Sequence, residues 1–474
     1  MISFRGTGLK CTYMRWPHAV LAFTDMTVDL MQSLQATEQT MRYASDHDVK
    51  QLAEELVLYA QLKSEHGAKG VSRVLAHAAK KMRAALNELK GLPVNQALAR
   101  QEPDKLESIR TLRPTGPRRL WHGFNQAVYR DRIEGALLGR LAGCTLGALV
   151  EFWTIDAMTQ LAEENGDPFP PTDYWRRAPE PKTLRYAMSP HEAYTREGMK
   201  GVPVDDDIAY TLLGLLIMER YGPDFTVEDV GRAWLACLPY ACTAEEIALE
   251  NLRRGVPAAQ AGIKNNPYCE WIGASIRADP WGYMAPGLPE RAAEMAWRDA
   301  RISHRRQGIY GEMFFAAAIA AAFALDDTVE ALHVGLTEIP RRCALSQAVR
   351  WALCVAPEIT DYRQARAAVD ARFAGMHRVH TVNNACLTVW GVTIGRKDFT
   401  RVISETVAMG LDNDCTAATA GSIVGAVVGK KGIPEHWYKN FDDTIHSYLI
   451  RRKRFSIQGV VRRFEKQARR SHGA

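Results

Sequence analysis

Three consecutive carboxylates, Asp205, Asp206 and Asp207, stand in "VPVDDDIAYTLLG" just before an apolar run, and two more, Asp412 and Asp414, open the small-residue run of "GLDNDCTAATAGSIVGA". One aspartate before a helix is explained as an N-cap, which accepts backbone N–H bonds and meets the positive end of the helix dipole. Three in a row exceed that need, because a cap uses one and adjacent carboxylates repel. The second run starts like a calcium loop of the EF-hand type. That match fails at its sixth position, Ala417 in place of glycine, and at its twelfth, Ile423 in place of glutamate. Acids gathered at the ends of buried helices are tolerated only if cations neutralise them. Oxygen donors without paired His or Cys favour hard ions, Mg²⁺ or Mn²⁺ ahead of Ca²⁺, and a set this large could hold two.

The segments that must position these acids carry their own signal. Residues 135–151, "GALLGRLAGCTLGALVE", have glycine at 135, 139, 143 and 147, followed by Glu151. Each glycine inside a helix costs about 0.5–1 kcal/mol relative to alanine, so a whole stripe implies a second backbone closer than ordinary 8–10 Å packing. Ala417, Gly421, Gly425 and Gly429 repeat the same interval. The two helices are therefore expected to pack together. If they run antiparallel, Glu151 joins Asp412 and Asp414, and the carboxylates number six.

With 47% hydrophobic and 24% charged residues, the chain reads as an ordinary globular protein, which excludes disorder throughout. Its 474 residues suggest two or three domains on length alone. The net charge of +6 is concentrated in residues 451–474, a basic tail read as a solvated helix from which no membrane or nucleic-acid partner is drawn. Nine scattered cysteines without a C-x-x-C pair fit a reducing compartment, and the charged N-terminal stretch 1–23 is unlike a signal peptide, so a cytoplasmic location is expected. The apolar run 313–325 is too short for the roughly 20 residues that span a bilayer and is expected to be a buried helix.

Residues 1–128 read as a helical N-terminal extension, with two amphipathic helices joined near "HGAKG" and a polar, proline-containing linker over 100–119. Residues 129–450 are helical nearly throughout. The expected fold is all-α, a multi-helix bundle around buried Gly/Ala-rich helices. The stretch 265–287, rich in Gly, Pro, Trp and Tyr, reads as a long ordered loop near the cleft.

The order of the glycine-striped segment, the acidic triplet, "SHRRQGIYG", "HTVNNA" and "GLDNDCTAATAGSIVGA", over about residues 130–435, resembles the ADP-ribosylglycohydrolase family, all-α enzymes of the dinitrogenase reductase-activating glycohydrolase type. The resemblance implies two Mg²⁺ or Mn²⁺ ions and hydrolysis of the glycosidic bond at C1″ of an ADP-ribosyl group on a modified protein or small molecule. Asp205, Asp206 and Asp207 stand where the family has Thr-Asp-Asp, Asp412 and Asp414 stand at its second Asp-x-Asp, and Glu151 matches the glutamate ending the glycine-rich helix. Cys415 occupies a metal-site position where the family often has threonine, and Cys144 and Ile208 are further departures. Glu151, then Asp206, are assigned to proton transfer, with Asp205, Asp207, Asp412 and Asp414, and Asp206 as well, as metal ligands. His304, Gly308, Tyr310, Gly311, His380 and Asn384, with Asn383, are candidate substrate contacts, and a structural role for each stays open. Two other readings are a module that binds ADP-ribosylated partners or an ADP-ribosyltransferase, and a hydrolase of another nucleoside-type bond. The N-terminal extension could bind a protein partner.

Overall fold

In the computed structural model the described residues are 47–473; residues 1–46, which include the N-terminal stretch 1–23 and the start of the extension, and Ala474 lie outside them. Helices α1 (His47–Glu65) and α2 (Val71–Gly91) flank the "HGAKG" turn and form an antiparallel hairpin. Ala53, Leu56 and Ala60 of α1 and Val71, Leu75 and Ala78 of α2 are half-buried, whereas Leu52, Tyr59, Met82 and Leu89 are exposed.

The polar segment that follows is not free of the body. Short helices Gln96–Gln101 and Leu106–Leu112 bury Leu106 and Ile109. Arg118 pairs with the buried Glu338 at 2.7 Å, Arg113 with the same carboxylate at 2.5 Å, and the buried Glu102 with Arg306. Proline and charge make this stretch look like a linker, but its charges find partners some two hundred residues away.

The body is built around α3 (Gln126–Ala148), α4 (Asp206–Tyr221), α5 (Gln307–Ala322), α6 (Thr381–Gly395), α7 (Asn413–Val428) and α8 (Ile457–Ser471). Among the described residues the only strands are two pairs of two to three residues each, so the chain is all-α. The alanine-rich run expected to be a buried helix is α5, every residue of which is buried. No described helix is long and apolar enough to cross a membrane. The stretch 265–287 differs from the expected loop, since it contains a 3-10 turn, Ile272–Arg277, and a helix, Asp279–Met284, both almost wholly buried.

Residues 451–471 contain a strand, Arg454–Ser456, and α8, whose Val460, Phe464 and Ala468 lie on one buried face at helical spacing. This face packs on α3, α4 and the helix Asp279–Met284, with Phe464 edge-on to Tyr283 at 5.2 Å between centroids. The arginines of α8 sit on its other side, where Arg463 pairs with Glu219 at 2.7 Å.

Candidate active site

The glycine stripe of α3 meets the small-residue face of α7 in antiparallel register. A Cβ placed on Gly135, Gly139 or Gly143 would collide with the carbonyl oxygen of Gly425, Gly421 or Ala417, and one on Gly147 would lie 2.5 Å from the Asp414 Cα. Backbones this close force the C-terminal end of α3 against the N-terminal end of α7. Just beyond the helix ends, Phe152 (φ 65°) and Leu411 (φ 59°) adopt the left-handed conformation, unusual for bulky residues. The Phe152 N–H donates to the Leu411 carbonyl at 3.0 Å. Glu151 and Asp412 are thereby pinned beside each other.

The third acidic group arrives on α4. Asp205 is its N-cap, accepting from the Asp207 N–H at 3.0 Å, so one of the three aspartates does cap. Arg140 of α3 secures the junction from inside the protein. Fully buried, it donates to Thr211 Oγ1 (2.6 Å), Asp279 Oδ2 (2.8 Å), Asp207 Oδ1 (3.1 Å) and the Ile276 carbonyl (2.5 Å).

All six carboxylates consequently adjoin. Glu151, Asp412 and Asp414 can bring ligand atoms within 4.8 Å of one another; so can Asp205, Asp206 and Asp207, and so can Asp207, Asp414 and Cys415. Asp205, Asp207, Asp412 and Asp414 are buried, whereas Glu151 and Asp206 reach solvent. Burial pushes Asp205 up to about 7, with Asp206 and Glu151 adding to it and Arg185 opposing, and pushes Asp412 up to about 7, reinforced by Glu151. Burial likewise raises Asp207 and Asp414. Asp412 stands at the start of α7 yet makes no cap bond, and its buried Oδ1 has no hydrogen-bond partner. Such an oxygen is costly unless a cation meets it, so the donor set fits a hard divalent ion. Cys415 fits less well. Burial and Asp207 hold its thiol protonated, and its Sγ donates to Asp207 Oδ2 at 3.2 Å.

A hairpin approaches the same acids, formed by β1 (Leu184–Arg185) and β2 (Ser189–Pro190). Its Arg185 guanidinium donates to Glu151 Oε2 (2.6 Å), Asp414 Oδ2 (2.7 Å) and Asp205 Oδ2 (3.0 Å). The Tyr186 hydroxyl donates to Asp206 Oδ1 at 2.6 Å. Neither Arg185, Tyr186 nor Arg140 was foreseen from the sequence.

The ADP-ribosylglycohydrolase family model matches residues 125–470. The chain belongs to the ADP-ribosylglycohydrolase family. A solved structure described as an "ADP-ribosylglycohydrolase-related protein complex" is similar at 20% identity, covering 73% of this chain and 99% of that one with a TM-score of 0.49. No curated protein gives a significant match.

Of the other family-like positions, Asn384 touches the acidic segments directly, and the rest bond to neighbouring elements. Asn384 of α6 is buried, and its Oδ1 accepts from the Asp412 N–H at 3.3 Å while its amide donates to the His380 carbonyl at 2.9 Å. His380 caps α6, its Nδ1 accepting from the Val382 N–H at 3.1 Å, and burial pushes it down to about 4. Asn383 turns back to the His377 carbonyl at 3.0 Å. His304 is fully buried, with Ser303 Oγ 2.8 Å and Glu245 4.0 Å from its Nδ1, and burial with Arg277 holds it neutral. Gly308 gives room to the Cys269 carbonyl and the His304 ring, and Gly311 to Ser275 and Thr381. Tyr310 is buried and donates to the Pro103 carbonyl at 2.7 Å, joining α5 to the segment before the body. Among the described residues, the side-chain partners of His304 and Tyr310 lie outside the six acids.

Proposed function

We propose that the chain is a divalent-ion-dependent hydrolase that cleaves the glycosidic bond at C1″ of an ADP-ribosyl group carried by a protein or small molecule. The observation that supports this most is the division of one carboxylate cluster by exposure. Asp205, Asp207, Asp412 and Asp414, buried and crowded, suit the holding of Mg²⁺ or Mn²⁺. Glu151 and Asp206, which reach solvent, suit proton transfer. When bound, the ions supply Lewis acidity and neutralise charge that builds as the bond breaks. Glu151, which reaches solvent at the edge of the cluster, takes a proton from the attacking water. The water oxygen bonds to C1″, the bond from C1″ to the leaving group breaks, and the proton passes to that group. Asp206 is held by Tyr186 at the same edge as the second acid–base group. Two carboxylates alone serve ordinary glycosidases, and six at one place exceed that scheme.

The test is incubation of the purified chain with Mg²⁺ or Mn²⁺ and arginine-, serine- and nucleotide-linked ADP-ribose. Release of ADP-ribose is expected from at least one, abolished by chelator and reduced at least about 100-fold in E151Q and D206N. Absence of release from the whole panel, with ligand binding retained in D206N, would favour a recognition module instead.

A further inference from the structure

The hairpin that carries Arg185 is built at a conformational cost. In its turn, closed by the Met188 N–H donating to the Arg185 carbonyl at 3.1 Å, Tyr186 and Ala187 both have φ 53°, a left-handed conformation normally supplied by glycine or asparagine. Strained non-glycine turns persist where their surroundings over-determine them. Here the Val204 N–H donates to Ser189 Oγ at 3.1 Å, the His191 N–H donates to the Thr183 carbonyl at 2.8 Å, and the Tyr240 hydroxyl donates to the Tyr186 carbonyl at 3.1 Å. The Tyr186 ring packs against Tyr240 and Tyr448, with centroids 6.5 and 5.6 Å away. The backbone of Arg185 is thus fixed at the cluster, and only its long side chain is left to adjust.

That side chain reaches one acid from each of the three segments that build the site: Glu151 after α3, Asp205 before α4 and Asp414 in α7. It is 15% exposed, in contrast to Arg140, which has no exposed surface. A divalent ion on Asp414 Oδ2 would sit about 2.0–2.6 Å from that oxygen, and the Arg185 nitrogen already lies 2.7 Å from it. Two cations bound to one oxygen at such distances repel strongly at low dielectric.

We propose that Arg185 is a built-in cation that competes with divalent ions for Glu151, Asp205 and Asp414, so that loading the site requires its guanidinium to withdraw. The inference rests on the reading of the cluster as a metal site. While the guanidinium is seated these oxygens are closed to an ion, and the apparent ion affinity is lowered by the fraction of time it is seated. The hairpin sets that fraction, because it holds the stem of Arg185 within reach whether the guanidinium is seated or withdrawn.

Calorimetric titration of Mn²⁺ into the full chain, at one pH and ionic strength, tests this with wild type, Arg185→Gln and Arg185→Lys. R185Q should bind Mn²⁺ at least about tenfold more tightly than wild type, with R185K between them. Melting provides a second readout that does not depend on turnover. In chelator R185Q should melt below wild type, because the acids lose their counterion, and Mn²⁺ should raise its melting temperature by more than that of wild type. Equal or weaker Mn²⁺ binding by folded R185Q and R185K overturns the inference and leaves the metal site standing. Absence of Mn²⁺ binding in wild type and both variants overturns the metal reading and the inference with it.

Discussion

Two arginines make the carboxylate cluster tolerable, and their surroundings give them different work. Arg140 has no exposed surface and spends its donors on Thr211, Asp207, Asp279 and the Ile276 carbonyl. Removing one partner of such a pair leaves uncompensated buried charge, which costs about 3–5 kcal/mol. Arg140→Met should lose stability on that scale in chemical denaturation, and Arg140→Lys less, since the charge stays while the planar fork is lost. A loss below about 1 kcal/mol in R140M would show that the buried acids are neutral without it. The acids themselves were legible in the sequence, because charges at the mouths of apolar small-residue runs break the pattern around them. A signal for Arg140 was also present, as the one charge inside the glycine stripe of a helix expected to be buried. Arg185 had none. It sits between Pro181 and Pro190 in a polar stretch, and only the hairpin and the fold bring it to acids up to 229 positions away. His304 illustrates the converse. Its type and context suggest chemistry, yet nothing in "SHRRQGIYG" tells which side of the ring meets Ser303 and Glu245.

Among the elements, the pairing of α3 with α7 was legible because close approach of two backbones demands absent side chains at a fixed interval, and the interval is visible in one dimension. Helix propensity and packing then make opposite predictions for the same change. Propensity alone would have Gly143→Ala gain about 0.5–1 kcal/mol. Packing opposes it, since the new Cβ would lie 2.5 Å from the Ala417 carbonyl carbon and 3.0 Å from the Ala418 nitrogen, atoms of backbone that cannot turn aside. Overpacking of this kind costs about 1–3 kcal/mol or more, so the sum should be destabilising. Gly459→Ala in α8 is the contrast, because its nearest neighbour, Ser456, would be at an ordinary 3.4 Å. Urea titration should show G143A less stable than wild type and G459A equal or slightly more stable. If both changes move stability the same way, close approach does not govern the helix pair. The elements that were not legible share a feature. Residues 100–119 and 265–287 have the composition of loops, but their polar groups are satisfied by distant partners that no local pattern encodes.

At the scale of the whole molecule, the open question is where the body begins. The hairpin of α1 and α2 keeps Leu52, Tyr59, Met82 and Leu89 exposed, and near its end Lys90 Nζ donates to Asn265 Oδ1 at 2.8 Å. An exposed hydrogen bond of this sort contributes little. Twelve residues further on, at Glu102, the situation reverses. Glu102 pairs with Arg306 and accepts from the Ala344 N–H at 2.9 Å, Pro103 accepts from Tyr310, and Arg113 and Arg118 together neutralise Glu338, whose side chain has no exposed surface. A chain starting at residue 96 should therefore melt with a body transition like that of the full chain and keep any ADP-ribosyl hydrolase activity. One starting at residue 119 strands Glu338 as a buried charge without either arginine, a loss of about 3–5 kcal/mol. Burial already raises the Glu338 carboxyl, and its two arginines oppose that rise, so without them it should take up a proton instead of staying charged. The shorter chain should consequently be less stable at neutral than at mildly acidic pH, which melting at two pH values would reveal. Equal melting of the two truncated chains would place the boundary after the arginines, and the contacts of residues 102–118 would then be ornaments of the surface and not part of the folding unit.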